Sequence, residues 1–329
     1  MSQNELGVVA IGRNEGERLV RCLRSAVRES NAVVYVDSGS TDGSVEMAES
    51  LGVKVVNLDL SVPFTAARAR NAGFERLNTE FSELQYVQFI DGDCELVEGW
   101  IQKAIDYLRA NPKVAVVCGR RRERFPKASI YNQLCDIEWD TPVGEAGACG
   151  GDALIRIDAL RQIEGYREDL IAGEEPEMCF RLRQNGWKIF RLDADMTWHD
   201  AAMSRLSQWW QRTKRAGYAY AEGSYLHGDS AEKYWVKETR SILFWGGILP
   251  FVLLVLGFVI SPWLFLGAAV YILQMLKMTF LHPVDRNSPK NSFLYSVFVV
   301  LGKFPQFVGV SRFALLKLLS QKPTLIEYK

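Results

Sequence analysis

Two consecutive apolar stretches near the C-terminus constrain this chain more than any other feature. Residues 242–260 contain no charged side chain, and Lys277 is the only one in residues 262–281. Each stretch has about the 20 residues that an α-helix needs to cross the roughly 30 Å hydrocarbon core of a bilayer. Because Ser261 and Pro262 break the apolar run, the sequence predicts a hairpin of two transmembrane helices. The alternative is a buried hairpin within a soluble domain.

Charge is distributed unevenly around this hairpin. The chain has 39 basic and 39 acidic residues, but residues 241–329 carry eight basic and only two acidic side chains. The acidic N-terminal body argues against a nucleic-acid partner. Basic residues on both flanks predict a multi-pass protein of the inner membrane, with its N-terminal body in the cytoplasm. The flanking cations are Lys233, Lys237, Arg240, Lys277, Arg286 and Lys290.

The last apolar segment, residues 293–319, differs from the two predicted spans. Lys303, Pro305, Arg312 and Lys317 interrupt it. Apolar side chains next to basic ones are typical of an amphipathic helix that lies in the membrane interface. We therefore expect an interfacial helix here, with a third span as the alternative.

The N-terminal body alternates between two patterns. Short apolar runs, typical of buried strands, are followed by segments with apolar residues at helical spacing. This alternation predicts an α/β fold with a mostly parallel, Rossmann-like sheet, whose ligands bind at the carboxyl ends of the strands. The six cysteines show no CxxC spacing and are expected to be reduced and buried. Predicted strands are 7–11, 32–36, 53–58, 86–90 and 114–118, and predicted helices are 19–27, 44–50, 66–77 and 99–109.

Acidic residues follow the predicted strands. Glu15 comes after the first strand, Asp37 after the second, and Asp91 and Asp93 flank a glycine after the strand 86–90. Neither a GxGxxG motif after the first strand nor a P-loop is present, which argues against dinucleotide binding and P-loop hydrolysis. Two carboxylates this close repel each other unless a cation lies between them, so Asp91 and Asp93 predict Mn²⁺ or Mg²⁺ holding a diphosphate. The alternative is a solvated Asp-Gly turn.

Two further features could complete such a site. Pro176 suits the first position of a helix, which would place Glu175 at the N-cap, where the helix dipole favours an ionised carboxylate and a general base. Plain helix capping is the alternative, with Glu174 as support. His199 could join Asp93 in binding the metal, or it could be a satisfied histidine at the end of a strand.

A basic and aromatic segment follows at residues 208–215. Arg212, Lys214 and Arg215 could neutralise a diphosphate or contact an acceptor, and Trp209 could stack on a sugar. An amphipathic helix next to the membrane is the alternative. The run Arg120-Arg121-Arg122 is expected to be a solvated face, with contact to an acceptor phosphate as the weaker option.

Taken in order, five motifs resemble the inverting family 2 glycosyltransferases of GT-A fold. They are VVAIGRNE, VDSGSTDGS, ARNAG, FIDGDC and AGEEPEMCFRLRQNGW, and with the basic helix they cover about residues 6–220. The resemblance implies a nucleotide site, a metal and diphosphate site, and a catalytic base. The residues implied are Glu15, Asp37, Arg70 and Asn71 for the nucleotide, Asp91 and Asp93 for the metal and diphosphate, and Glu175 for the base.

Two departures from the family pattern affect the expected base and the expected number of sugars transferred. Glu174-Glu175 replaces the common ED pair, which leaves the choice of base open between the two. The QxxRW signature of processive synthases is missing, so we expect transfer of a single sugar. The expected donor is a nucleotide-diphosphate sugar, with a UDP-sugar favoured, and the expected acceptor is a hydroxyl of a glycan or lipid-linked molecule.

Three other functions remain open at this point. They are a polyprenyl-phosphate sugar transferase, a nucleotidyltransferase, and a degenerate membrane-anchored protein that only binds sugar nucleotides. The predicted domains are a glycosyltransferase domain at 1–230, a transmembrane hairpin at 231–285 and an interfacial or membrane segment at 286–329.

Overall fold

The computed structural model describes residues 5–81, 83–285, 288–321 and 324–326. These residues divide into two compact units. The first comprises Met1–Pro126 with Glu138–Ala202, and the second comprises Lys127–Ile137 with Met203–Lys329. Arg286, one of the predicted flanking cations, lies outside the described residues. The predicted domain 1–230 contributes to both units.

Nine strands form one sheet in the described part of the first unit. Their spatial order is β3-β2-β1-β4-β8-β6-β9-β5, and β7 pairs with β9. The strands are β1 (Leu6–Gly12), β2 (Ala32–Asp37), β3 (Lys54–Asn57), β4 (Tyr86–Asp91), β5 (Cys94–Leu96), β6 (Val114–Glu123), β7 (Gly144–Ala146), β8 (Ala153–Arg156) and β9 (Lys188–His199).

The N-terminal half of this sheet is parallel, as predicted. Strand β1 pairs in parallel with both β2 and β4, and β2 pairs in parallel with β3. Consequently β1, β2 and β4 end at the same edge of the sheet, where Gly12 lies opposite Asp37 and Ile11 opposite Asp91. The three strands are buried along almost their whole length, which explains their continuous apolar runs.

The other half makes the sheet mixed. Strand β8 is antiparallel to β4 and β6, whereas β5 and β7 are antiparallel to β9, and β6 is parallel to β9. Strand β6 also continues to Glu123, five residues beyond the predicted end at Cys118. This half contains Arg120, Arg121 and Arg122, which are partly buried in strand β6. Because charged residues usually indicate solvent exposure, the sequence did not predict this part of the strand.

The helices of the first unit follow the predicted alternation. Their apolar faces cover the sheet; on α1, for example, Leu19, Cys22, Leu23 and Ala26 are all fully buried. Gly73 allows the third helix to approach β1, because a Cβ there would collide with Val9. The helices are α1 (Glu17–Glu29), α2 (Ser44–Ser50), α3 (Ala66–Glu80), α4 (Trp100–Ala110), α6 (Ile157–Gln162) and α7 (Glu174–Gln184), with α5 (Ile130–Glu138) largely in the second unit.

The second unit is helical. Over the described residues, three segments are long and apolar enough to cross a membrane: Val236–Val259, Pro262–Leu281 and Pro289–Leu318. The first two segments correspond to the predicted hairpin. The third is long enough to be a third span, which was the alternative to an interfacial helix. The elements are α8 (Leu206–His227), α9 (Val236–Leu243), a π-helical turn (Phe244–Ile248), α10 (Leu249–Val259), a 3₁₀ helix (Pro262–Ala268), α11 (Ala269–Leu281), α12 (Pro289–Leu301) and α13 (Lys303–Leu318).

Candidate active site

Asp37 ends β2 with both carboxylate oxygens engaged. Its Oδ1 accepts a hydrogen bond from the Tyr35 hydroxyl at 2.8 Å, and its Oδ2 accepts the backbone N–H groups of Gly39 and Ser40, each at 2.9 Å. These donors fix the carboxylate at the edge where β1, β2 and β4 end. Oδ1 keeps a further lone pair with which it can accept a hydrogen bond from a ligand.

Hydrogen bonds join the loops that follow β1 and β2 into one rim at the edge of the sheet. The backbone N–H of Asn14 donates to Ser40 Oγ at 2.9 Å, and Asn14 Oδ1 accepts the backbone N–H of Thr41 at 2.8 Å. The backbone N–H of Gly16 donates to Asp42 Oδ2 at 3.0 Å. Asn14 adopts a φ of 54°, a left-handed conformation that asparagine tolerates better than most residues.

Glu15 lies in this rim beside the end of β4. Its carboxylate forms an ion pair with Arg18 at 2.7 Å. The backbones of Gly12 and Gly92 approach closely there, since a Cβ on either glycine would lie 3.3 Å from Glu15 Cγ. Glu15 and Asp37 are thus at one edge of the sheet, and their contact with a nucleotide stays a prediction.

Asp91 is held by two arginines. Its Oδ1 lies 2.9 Å from Arg70 Nη2, and its Oδ2 lies 3.3 Å from Arg121 Nη2. Arg121 also pairs with Asp152 at 2.9 Å, and Asp152 Oδ1 accepts the backbone N–H of Asp91 at 2.9 Å. Gly151 leaves room for this cluster, because a Cβ there would lie 2.7 Å from Asp91 Oδ2.

Arg70 links Asp91 to the start of α7. Its Nη1 lies 2.8 Å from Glu174 Oε1, and only 3% of the residue is exposed. Burial disfavours the charged guanidinium, but Asp91 and Glu174 outweigh that cost and raise the pKa of Arg70 further. Arg70 therefore stays charged and joins a strand-end carboxylate to a helix carboxylate.

Asp93 and His199 meet in a buried pocket. Asp93 Oδ2 lies 3.3 Å from His199 Nε2, and His199 Nδ1 lies 3.5 Å from Glu123 Oε2. Burial opposes protonation of His199, but Asp93 and the hydrogen bonds to both carboxylates give a net increase in its pKa. The ligand atoms of Asp93, Cys94 and His199 all lie within 4.8 Å of one another. Carboxylate and imidazole donors suit a divalent cation such as Mn²⁺, so this donor set fits the predicted metal.

Glu175 is a second buried carboxylate at the start of α7, where Glu174 and Glu177 are buried as well. Its Oε1 accepts the backbone N–H of Cys149 at 2.6 Å and lies 3.1 Å from Cys179 Sγ. Burial raises the pKa of Glu175, and hydrogen bonds from these two cysteines oppose the shift only in part. A carboxylate with raised proton affinity is a stronger general base than an exposed glutamate.

The predicted N-cap position of Glu175 is wrong. The N-cap is Gly173, whose φ of 78° places it outside the helix, and Glu174 is the first helical residue. Glu175 is therefore the second residue of α7, and Pro176 is the third. The helix ends at Gln184. Burial, rather than the helix dipole, determines the proton affinity of Glu175.

Other predicted site residues lie elsewhere or have other contacts. The Asn71 side chain bonds to both backbone groups of Tyr166, at 2.8 and 2.9 Å, and to Glu168 at 3.0 Å. Trp209 is buried in the second unit, edge-on to Phe298 with ring centroids 5.0 Å apart. The remaining predicted contacts on α8 also belong to the second unit, and their ligand roles stay predictions: Arg212, Lys214 and Arg215.

Comparison with known proteins assigns the N-terminal part of the chain to a family. The family model described as Glycosyl transferase family 2 matches residues 8–160. This stretch is a family 2 glycosyltransferase domain. The matched segment includes Asp37, Asp91 and Asp93, and it ends before Glu175 and His199, which the fold brings to the same part of the first unit.

Curated relatives of this family 2 domain are similar over about half of the chain. Succinoglycan biosynthesis protein ExoA of Rhizobium meliloti is 27% identical over 191 residues, which are 54% of this chain and 56% of that protein. Glycosyltransferase AglE of Haloferax volcanii is 22% identical over 189 residues, 54% of this chain and 60% of that protein. The chain thus spans less than two thirds of these relatives.

A solved structure has the same fold. Mannosyltransferase PcManGT from Pyrobaculum calidifontis, in complex with GDP-Man and Mn²⁺, superposes with a TM-score of 0.58. Sequence identity is 17%, and the match covers 90% of this chain and 86% of the mannosyltransferase. The similarity confirms the predicted GT-A fold.

The family 2 domain also contains site residues that the sequence analysis missed. Arg121 was expected on a solvated face, but its side chain is largely buried between Asp91 and Asp152. Asp152 is fully buried, and its Oδ2 accepts the Thr197 hydroxyl at 2.8 Å. Arg120 to Glu123 are all charged, so no alternation of polar and apolar residues indicated that Arg121 points inward.

Proposed function

We propose that this chain is a membrane-anchored inverting glycosyltransferase. It would move one sugar from a nucleotide-diphosphate sugar to a hydroxyl of a glycan or lipid-linked acceptor. The observation that carries the proposal is the Arg70 bridge, which joins Asp91 at the end of β4 to Glu174, next to Glu175. Arg70 thereby fixes the proposed donor-binding carboxylate relative to the start of the helix that carries the proposed base.

The nucleotide would lie along the rim formed by the loops after β1 and β2. Asp37 is fixed by three donors and retains a lone pair on Oδ1 for a base or ribose, and Glu15 lies in the same rim. The mannosyltransferase neighbour holds GDP-Man, whereas the sequence favours a UDP-sugar. A donor screen should therefore include both nucleotides.

A divalent cation would be held by Asp91, Asp93 and His199. Bound there, it would supply positive charge to the diphosphate as the sugar leaves. Asp93 and His199 are already within 3.3 Å of each other. Asp91 keeps 28% of its side chain exposed despite its two arginine partners, so it can also face a ligand.

Glu175 is the proposed base, because the two adjacent glutamates differ in environment. Glu174 pairs with the Arg70 guanidinium at 2.8 Å. Glu175 contacts thiols and a backbone N–H, and burial raises its pKa. Glu175 would remove the acceptor hydroxyl proton, the oxygen would attack the anomeric carbon, and the bond from that carbon to the diphosphate would break with inversion.

The helical segments of the second unit favour a lipid-linked acceptor. Three of them have the length and composition of membrane spans, and a soluble sugar acceptor would not require such an anchor. The proposed domain at 1–230 would face the cytoplasm, as the basic flanks of the first two segments favour. A polyprenyl phosphate remains the competing acceptor.

Glu175→Gln tests the base. The variant should bind the nucleotide sugar normally, measured by a thermal shift with Mn²⁺, while transfer of radiolabelled sugar to a membrane lipid extract falls by about 10² to 10⁴-fold. Glu49→Gln is the matched control, since Glu49 lies exposed on α2. Full transfer by Glu175→Gln would reject the assignment. Release of a nucleoside diphosphate, rather than pyrophosphate, distinguishes the reaction from nucleotidyl transfer.

A further inference from the structure

Two cysteines and Glu175 form a second cluster of metal-ligand atoms in the first unit. Cys149 Sγ lies 3.5 Å from Cys179 Sγ, and Cys179 Sγ lies 3.1 Å from Glu175 Oε1. One ligand atom from each of the three residues lies within 4.8 Å of the others, and all three residues are buried. Cys179 lies within the motif AGEEPEMCFRLRQNGW, whereas Cys149 lies outside all five motifs.

The spacing matches a tetrahedral metal centre. Zinc binds thiolate sulfur at about 2.3 Å and carboxylate oxygen at about 2.0 to 2.2 Å, so two sulfurs on one tetrahedral ion lie roughly 3.8 Å apart. The observed 3.5 Å between the sulfurs is within a few tenths of an ångström of that value. A small shift of side chains would accommodate the ion.

The donor types also separate this cluster from the proposed catalytic metal site. Thiolates select zinc and similar soft cations, whereas carboxylates suit Mg²⁺ and Mn²⁺. Cys149 lies in the loop between β7 and β8, where its neighbours Ala148 and Gly150 are exposed. Movement of this loop would give a cation access to both sulfurs.

We propose that Cys149, Cys179 and Glu175 form a binding site for a thiophilic divalent cation such as Zn²⁺ or Cd²⁺. On binding, the two thiol protons pass to solvent, the sulfurs bind as thiolates, and a water completes four-coordination. The site would inhibit transfer, because Glu175 cannot accept a proton while it binds the cation. This second effect rests on the proposed function of Glu175, whereas binding itself does not.

Cadmium binding to the full-length protein in detergent tests the site directly. The titration contains excess Mg²⁺ and a non-chelating phosphine reductant, and it follows the ultraviolet thiolate-to-cadmium charge-transfer band. Wild type should show a band for two thiolates per cation. Cys149→Ser and Cys179→Ser should each bind at least about tenfold more weakly. Cys135→Ala, which removes a buried thiol of α5, should retain the wild-type band.

A measurement on the wild-type protein does not depend on the folding of any variant. X-ray absorption of the zinc-loaded protein should show two sulfur ligands at about 2.3 Å with oxygen completing the shell. A shell with one sulfur or none, or equal cadmium bands in all variants, would overturn the site. Transfer should fall in proportion to cadmium occupancy and recover with a chelator. Occupancy without loss of transfer would overturn the inhibition and count against Glu175 as the base, leaving the site itself intact.

Discussion

Replacing Arg70 with methionine should destabilise the first unit far more than an ordinary surface mutation. The guanidinium is 3% exposed and lies 2.9 Å from Asp91 and 2.8 Å from Glu174. Methionine keeps much of the side-chain volume but leaves both carboxylates without this cation. Breaking a buried pair by removing one partner costs about 3 to 5 kcal/mol.

The structure places the expected cost at the lower end of that range. Arg121 still pairs with Asp91 in the variant, and the Asp91 side chain is 28% exposed, so the loss falls mainly on Glu174. We expect about 3 kcal/mol, which for a unit of this size corresponds to a fall of roughly 6 to 12 °C in Tm. Fluorescence-monitored thermal unfolding in detergent measures the shift.

A control variant and a double variant test whether Arg70 stabilises the first unit. Arg76 lies on the same helix and pairs with Glu80 at 2.5 Å, but its side chain is 45% exposed. Arg76→Met should cost no more than about 1 kcal/mol, the usual value of a surface pair. Adding Glu174→Gln to Arg70→Met should recover part of the lost stability. Equal Tm values for the two arginine variants, or no recovery, would refute the bridge as a stabilising element.

Three further predictions concern the site. Gly151→Ala should weaken donor binding and lower the free energy of unfolding by about 1 to 3 kcal/mol, because the new Cβ would lie 2.7 Å from Asp91 Oδ2. Gly147→Ala is the control and should change neither quantity, since a Cβ there meets nothing within 4 Å. Transfer should fall as pH drops through the raised pKa of Glu175, above the ordinary value of roughly 4.3, and a pH–rate profile with an acid limb at or below that value would contradict it. The same raised pKa favours folding at low pH, and that contribution is lost as pH rises through it. Asp93→Asn should abolish the thermal shift that Mn²⁺ adds to donor binding, and an unchanged shift, or one that persists in EDTA, would exclude Asp93 as a ligand.

The parallel half of the fold was predictable because each element has a single clear pattern. Strands β1, β2 and β4 are buried on both faces and therefore have uninterrupted apolar runs. Helix α2 begins at Ser44 and ends at Ser50, both as predicted. In these segments local pattern and tertiary burial agree, so the sequence suffices.

The antiparallel half could not be predicted in the same way. Strands β7 and β8 are only three and four residues long. Strand β6 ends in charged residues, and the buried Arg121 among them forms ion pairs. Charge normally indicates solvent, yet Arg121 lies buried because Asp91 and Asp152 both face it. A pairing between residues 30 or more positions apart leaves no local signal.

The two glutamates at the start of α7 show why a motif alone leaves the choice of base open. Consecutive helical residues point about 100° apart, so Glu174 and Glu175 face different surroundings although their chemistry is the same. One meets the Arg70 guanidinium, and the other meets the backbone and thiol of the cysteines. The ion pair with Arg70 gives Glu174 a structural role, whereas burial raises the pKa of Glu175. The division between support and base therefore depends on Arg70, a residue about a hundred positions away in the chain.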